Sequence, residues 1–375
     1  MSDFFTTQER ARYARHFTLP EFGEEGQRKL KQSSVLVIGA GGLGSPLLLY
    51  LAAAGVGRIG IVEFDQVDES NLQRQVLYTI GDLGQSKGEV AVRRLRALNP
   101  LVEVEHYPTR LSSENALSIF RGYDLVADGT DNFPTRYLVN DACVLSGIPN
   151  VYASIFRFEG QVSVFNLLRA DGARGPNYRS LFPQPPPPGM VPSCAEGGVL
   201  GVLPGIVGSL QASEAIKVLT GIGDPLDGRL FLFDAASFSS RILKIPDTPG
   251  PAITELIDYE EFCGLAPSAP VKEIGVQEFF EMRERGVDFQ LIDVREPYEV
   301  EIAELGGELI PPAEIERSAD RIARDKMVVL HCRSGRRSAD AVRLLEERFG
   351  FDNLYNLRGG ILAWADEIDP SMAKY

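Results

Sequence analysis

From about residue 30 to residue 150 the chain alternates short β-branched apolar runs with stretches whose apolar positions recur at helical spacing. That is the pattern of parallel strands joined by crossover helices. Val35-Leu36-Val37-Ile38 reads as a first strand, Ser45 to Ala54 as the helix behind it, and Ile59 to Val62 as a second strand. Tyr123 to Asp128 reads as a later strand ending in a loop, and a helix is expected from about Pro134 to Leu145. After Val164 the pattern changes: Pro183 to Pro192 reads as a surface crossover without helix, and helical spacing resumes at Ile206 to Leu219. Phe231 to Asp234 and Ser240 to Lys244 have the look of antiparallel strands. Ala-Pro-Ser-Ala-Pro, inside Leu265 to Val271, reads as a linker. Beyond it Leu291-Ile292 and Val328-Val329-Leu330 alternate with helices once more. The expected fold class is therefore α/β, with a mostly parallel sheet carrying an antiparallel extension over residues 1–265, a linker at 266–272 and a smaller α/β domain over 273–375.

The length of 375 residues gives both domains enough apolar content for a core, and no internal repeat joins them. A formal charge of −14 argues against nucleic acid as a partner. Four Cys with no close pair fit a reducing compartment better than a disulfide framework. Met1 to Tyr13 lacks an apolar signal core, and the longest uncharged stretch, Gly197 to Ser213, contains Gly and Pro and is short for a membrane span. It reads as a buried loop and helix. No membrane association and a cytoplasmic location are expected.

Two motifs carry chemistry. Near the N-terminus, Gly39-Ala40-Gly41-Gly42-Leu43-Gly44 follows the first strand and opens the first helix, so its backbone N–H groups can bind phosphate at the positive helix end. Glu63 ends the second strand about twenty residues on, where a carboxylate accepts from ribose hydroxyls. These features alone would suit an NAD-dependent oxidoreductase equally well. Ser70-Asn71-Leu72-Gln73-Arg74 and Lys87 add the cations and amides a triphosphate needs, and Asp131 in Gly129-Thr130-Asp131-Asn132 is placed for Mg²⁺ or a hydroxyl at the strand ends. Far behind them, Cys332-Arg333-Ser334-Gly335-Arg336-Arg337 runs from an apolar strand into a helix, which places a sulfur at a helix N-terminus beside three Arg and favours a thiolate or persulfide there.

The six-residue Cys332 loop, with Asp293-Val294-Arg295-Glu296 upstream, resembles the active-site loop of the rhodanese sulfurtransferases, whereas the related phosphatase loop is one residue longer. From Arg12 to about Gly264 the chain resembles the MoeB/ThiF (HesA) family, Rossmann-like relatives of ubiquitin-activating enzymes that adenylate the C-terminal glycine of small ubiquitin-like sulfur carriers. The resemblance implies that Gly41 and Glu63 contact ATP, with Gly39, Gly42 and Gly44 shaping the loop. It implies that Asn71, Gln73, Arg74 and Lys87 surround the phosphates, with Ser70, Leu72 and Asn132 also among the nucleotide-binding residues, and that Asp131 holds Mg²⁺. In relatives the second Arg of an Arg-Tyr-Ala-Arg motif, here Arg15, reaches the partner subunit's nucleotide, so a homodimer is expected.

Partners implied are a sulfur carrier ending in Gly-Gly, serving molybdopterin, thiamine, cysteine or tRNA thiolation, and a sulfur donor such as thiosulfate or a desulfurase persulfide. The catalytic set expected is Cys332, Cys194, Arg74, Lys87, Arg15 and Arg337. Cys332 would carry persulfide sulfur to the acyl-adenylate, and Cys194, on a loop after the Pro-rich crossover, would resolve the acyl disulfide. Many relatives hold structural zinc with two Cys-x-x-Cys pairs. This chain has Asn177-Tyr178-Arg179-Ser180 at the first and Glu260 through Cys263 at the second, so no structural zinc is expected. Cys143 lies on an apolar helix face and reads as core, and His331 as packing at its strand end rather than a base. A carrier-binding scaffold without catalysis is the remaining reading, and it predicts no dependence on Cys332.

Overall fold

A computed structural model describes residues 4–186, 198–247, 250–264 and 270–374. The chain divides into two compact units, Met1–Ala266 and Pro267–Tyr375. The first is built on an eight-stranded sheet in the order β3-β2-β1-β4-β5-β6-β7-β8, with β1 Ser34–Ile38, β2 Arg58–Val62, β3 Glu103–Tyr107, β4 Leu125–Asp128, β5 Asn150–Phe156, β6 Glu159–Phe165, β7 Arg229–Asp234 and β8 Ser239–Lys244. Strands β1 to β5 pair in parallel and β5 to β8 antiparallel, as the two halves of the sequence pattern predict.

β1 is buried along its whole length and β4 likewise, which is why Val35 to Ile38 and Leu125 to Ala127 read as apolar runs. Strand order reverses between them, so the crevice past their carboxyl ends is the place where an open α/β sheet binds ligands. The helix Leu203–Thr220 begins three residues before the expected Ile206, with Pro204 in its first turn. Residues 198–202 ahead of it are not the buried loop expected: Val202 is 60% exposed and Leu200 39%. β4 starts at Leu125 rather than Tyr123, because the Asp124 side chain accepts the Ser34 N–H at 2.8 Å and takes that residue out of the ladder.

The segments at the two positions where relatives hold Cys-x-x-Cys pairs are joined through Asp141. Asn177 caps its own short helix by accepting the Arg179 N–H at 2.8 Å, and Cys263 is the only sulfur among them. Arg179 clasps Asp141 through Nε and Nη2 at 2.8 and 2.7 Å, and the Tyr259 hydroxyl donates to the same carboxylate at 2.8 Å. The guanidinium also lies 4.5 Å from the Phe262 ring. Asp141, Arg179 and Tyr259 are all buried, so the ion pair clips three chain segments where its charges are fully matched. These residues do not fit zinc.

The second unit is a five-stranded parallel sheet in the order β11-β10-β12-β13-β9, formed by β9 Glu273–Ile274, β10 Phe289–Asp293, β11 Glu308–Leu309, β12 Met327–His331 and β13 Leu354–Leu357. β12 lies between β10 and β13 and is buried over its last four residues, so whatever follows His331 is delivered from the middle of the sheet.

Candidate active sites

In the first unit the Gly-rich loop turns out of β1 at Gly39, whose φ of +88° favours glycine. A Cβ on Gly44 would lie 2.1 Å from the Gly39 carbonyl oxygen, so the helix Gly44–Ala54 can start this close only as glycine. Around Gly41 there is room: the nearest atom to a Cβ there is Gln75 Nε2 at 3.5 Å. A Cβ on Gly42 would meet Pro204 at 3.2 Å and Arg74 Cγ at 3.7 Å, and one on Gly201 would strike Gln73. A Cβ on Gly39 would touch the Gly129 carbonyl at 3.4 Å. The loop, residues 70–75, the turn before Leu203 and the loop after β4 therefore converge on one crevice.

Glu63, 6% exposed, accepts the Ala40 N–H at 2.9 Å through Oε2 and the Phe64 and Asp65 N–H groups at 2.8 Å through Oε1. Its first task is to tie the Gly-rich loop to the end of β2; Oε1 spends both lone pairs on Phe64 and Asp65, and Oε2 keeps one for a ligand. Asp68 caps the turn Glu69–Asn71 by accepting the Ser70 N–H at 2.9 Å, which aligns Asn71 and Gln73 along the rim, and Leu72 is half-buried against the core. Arg74 donates to the Ser70 carbonyl at 3.0 Å and is held over Gly42 by its own turn. Lys87, buried at the start of the helix Lys87–Leu98, does not stand free over the loop as the sequence suggests. Its ammonium pairs with Asp65 at 3.3 Å.

Asp131 is exposed beyond β4, and Asn132 beside it caps the helix Phe133–Ser146 by accepting the Thr135 N–H at 3.0 Å. Among the described residues no three or more His, Cys, Asp or Glu gather into a metal cage. A single exposed carboxylate is still the protein share that Mg²⁺ takes when phosphates and water complete its shell. Gln75 is a residue the sequence reading missed. It is 5% exposed, with its amide against Gly41 and its Oε1 without a hydrogen-bond partner among the described residues. Nothing in a polar run of Asn, Gln and Arg marks it as the buried member.

Arg15 lies in the short helix Ala14–Phe17, exposed, two residues after Tyr13, whose ring packs where Gly55 ends the helix Gly44–Ala54. The Gly-rich loop is at the other end of that helix, about 16 Å away at 1.5 Å per residue. Arg15 is therefore not brought to the crevice of its own chain. Cys194 lies outside the described residues. Cys143 is fully buried, and burial pushes its thiol well above the ordinary value, so it is core as expected. Cys263 is pushed up to about 11 by burial.

In the second unit Cys332 follows β12, 1% exposed, and its Sγ accepts the Gly335 N–H at 3.2 Å. Gly335, at φ +88°, turns the loop into the helix Arg336–Phe349, and a Cβ on Gly360 would lie 2.4 Å from the Cys332 carbonyl. Arg337 departs from expectation: its guanidinium is clasped by Glu299 at 2.6 and 2.7 Å. Burial alone would raise the Glu299 pKa; hydrogen bonds from Arg337 and the Glu296 N–H outweigh it and hold the carboxyl below its ordinary range. Asp293 and Arg295 form a second buried pair, with Arg295 Nη2 reaching the Ala303 carbonyl at 2.8 Å. These pairs brace the loop's flank, and their charge is matched before any ligand arrives.

His331 is fully buried, with both ring nitrogens lacking a hydrogen-bond partner among the described residues. Asp293 stands 3.6 Å from Nε2, yet burial dominates and lowers the ring's pKa from 6.5 to about 4, so the imidazole is neutral at neutral pH. Between those two values the unfolded chain binds a proton that the folded one refuses. Stability therefore falls as pH drops from 6.5 toward 4, by about 3 kcal/mol at 1.36 kcal/mol per unit, and is restored above 6.5. The chain's only Trp, Trp364, is in this unit and reports its unfolding. The slope of denaturant midpoint against pH over that window is expected to flatten in His331→Leu.

Comparison with known proteins shows the family of each unit. The ThiF family profile matches residues 13–252 and the rhodanese-like domain profile residues 276–367. The chain is 50% identical over 377 residues to a probable adenylyltransferase/sulfurtransferase MoeZ of Mycobacterium tuberculosis, covering 98% of this chain and 96% of that one. It is 60% identical over 268 residues to a sulfur carrier protein adenylyltransferase of Thermus thermophilus, covering 70% of this chain and 99% of the relative. It is also 41% identical to the adenylyltransferase and sulfurtransferase MOCS3 of Mus musculus over 97% of this chain and 87% of that one. Among solved structures, E. coli MccB aligns with a TM-score of 0.57 at 21% identity over 68% of this chain and 75% of its own, a likeness of fold. Among the described residues no helix is long and apolar enough to cross a membrane.

Proposed function

This chain belongs to the ThiF family and carries a rhodanese-like domain behind it, and from that premise we propose how its residues divide the work. It is an ATP-using adenylyltransferase and a sulfurtransferase that acts on a sulfur-carrier protein. In the first half-reaction a carboxylate oxygen of the carrier's C-terminal glycine attacks the α-phosphorus of ATP, and the bond to pyrophosphate breaks. A carboxylate is a poor acyl donor, and the mixed anhydride with AMP is a good one. The Gly41 and Gly42 backbone, Arg74 and the rim amides Asn71 and Gln73 receive the phosphates, with Lys87 leaving Asp65 to join them, and Glu63 holds the nucleoside side. Asp131 would hold Mg²⁺, which neutralises phosphate charge when bound. Arg15, which lies near the end of the helix Gly44–Ala54 opposite the Gly-rich loop, serves the crevice of a second copy, so the working form is a homodimer.

In the second half-reaction the Cys332 thiolate takes the outer sulfur of a donor such as thiosulfate, and sulfite leaves with the bonding pair. The terminal sulfur of the persulfide attacks the acyl carbon and AMP departs, leaving an acyl disulfide. Attack by the Cys194 thiolate on Cys332 Sγ releases the carrier thiocarboxylate and leaves a disulfide that a dithiol reductant reopens. The partner in this reading is a small protein ending in Gly-Gly, the carrier class that the family resemblance implies.

The observation that carries the adenylation reading is the convergence of the Gly-rich loop, Arg74 and the Asp131 loop at the crevice between β1 and β4. Carrier-dependent exchange of labelled pyrophosphate into ATP tests it. Exchange is expected with a Gly-Gly-ended carrier and none without one; NAD binding with no exchange under any carrier would sink the reading.

A further inference from the structure

Three side chains that the transfer chemistry above does not use stand in line behind Cys332. Ser338, fully buried in the first turn of the helix Arg336–Phe349, places Oγ 3.4 Å from Cys332 Sγ and 2.7 Å from Asn356 Oδ1. Asn356 is 2% exposed on β13, and its Nδ2 donates to Glu273 Oε1 on the neighbouring β9 at 3.0 Å. A carboxylate only accepts, so Glu273 decides which way the Asn356 amide faces: nitrogen toward Glu273, oxygen toward Ser338. A serine hydroxyl has a single proton to donate. With Asn356 taking it, Ser338 turns a lone pair toward the sulfur, and Sγ keeps the Gly335 N–H at 3.2 Å as its donor.

That arrangement suits a sulfur without charge, either a thiol donating S–H to Ser338 or the inner sulfur of a persulfide, whose charge sits on the outer atom. A thiolate needs donors instead. Sγ becomes a thiolate each time the persulfide is spent. With cyanide as acceptor, the cyanide carbon bonds to the outer sulfur, the S–S bond breaks, thiocyanate leaves, and Sγ keeps the bonding pair. Rotation of the Ser338 hydroxyl supplies a hydrogen bond to Sγ at that moment, at the expense of the bond to Asn356.

We propose that Ser338 is a further catalytic residue of the sulfur-transfer site, a hydroxyl that moves its hydrogen bond from Asn356 to Cys332 Sγ as the persulfide is spent. Asn356 and Glu273 are the positioning residues that hold it off the sulfur until then. The proposal rests on the sulfurtransferase reading and adds the group that stabilises its leaving sulfur.

The test is single-turnover unloading of the full chain. Protein loaded with thiosulfate and freed of excess is mixed with cyanide, and thiocyanate release is followed with time. Ser338→Ala is expected to slow release about tenfold to a hundredfold, the range for one hydrogen bond to a charged group. Ser338→Thr, which keeps the hydroxyl, restores most of the rate. Asn356→Leu removes the competing acceptor and makes release several-fold faster, an effect opposite in sign to that of a lost structural contact. Equal release by wild type and Ser338→Ala overturns the proposal, as does an Asn356→Leu variant slowed as much as Ser338→Ala. If Ser338→Ala fails to fold by Trp364 fluorescence, the Thr and Asn356 variants decide alone. Wild-type protein that takes no sulfur from thiosulfate removes the sulfurtransferase reading itself, and the proposal with it.

Discussion

Cys332→Ser is expected to lower thiosulfate-to-cyanide sulfur transfer by about a thousandfold or more, the scale on which loss of a covalent nucleophile acts. A serine oxygen in that place cannot hold a sulfane sulfur, and none of the other described cysteines can substitute. Cys143 and Cys263 are buried in the first unit, and burial raises both thiols. Carrier-dependent pyrophosphate exchange is expected to be unchanged within about twofold, because the substitution lies in a separate unit with its own core. Residual sulfur transfer above about a tenth of wild type would remove Cys332 from the mechanism.

Arg74→Ala is expected to cost about a hundredfold to a thousandfold in pyrophosphate exchange, the range for removing one preorganised group that meets developing charge. The guanidinium is fixed beforehand by its bond to the Ser70 carbonyl and by packing over Gly42, so little ordering remains when the phosphates arrive. Arg74→Lys should recover only part of the rate, since an ammonium supplies charge without the planar fork that Ser70 holds in place. Sulfur loading of Cys332 from thiosulfate should be untouched in both variants. A rate in Arg74→Ala within threefold of wild type would mean that the phosphates do not meet this side chain.

Much of this was legible from the chain because the decisive elements are buried on both faces. Val35 to Ile38 and Leu125 to Ala127 are continuous apolar runs, and the glycine spacing follows from the 2.1 Å approach at Gly44. β3 was missed because Glu103-Val104-Glu105-His106-Tyr107 exposes alternate charged residues at the sheet edge, leaving a single fully buried apolar position to signal it. The β5–β6 pair gave no warning either, since its partners fold back directly rather than through a crossover helix. The site was legible in its membership more than in its wiring. Three Arg around Cys332 suggest a field of free positive charge, yet Arg337 is matched by Glu299, 38 residues away in sequence. Lys87 likewise has Asp65, and Glu63 spends its oxygens on the backbone of the loop it supports. Such pairings depend on which strand ends are neighbours, and spacing along one chain does not encode that. Ser338 and Gln75 escaped for a related reason: each is an ordinary polar residue in a polar run, distinguished only by being buried against reactive groups.

The most direct test of the central claim is formation of carrier thiocarboxylate by the purified full chain supplied with a Gly-Gly-ended carrier, ATP, Mg²⁺, thiosulfate and a dithiol reductant, read by the mass of the carrier. The account predicts a carrier heavier by the exchange of one oxygen for one sulfur, dependent on ATP, absent with Arg74→Ala, and absent with Cys332→Ser although that variant still adenylates. Thiocarboxylate formed at the wild-type rate by Cys332→Ser with thiosulfate as the only sulfur source would contradict it.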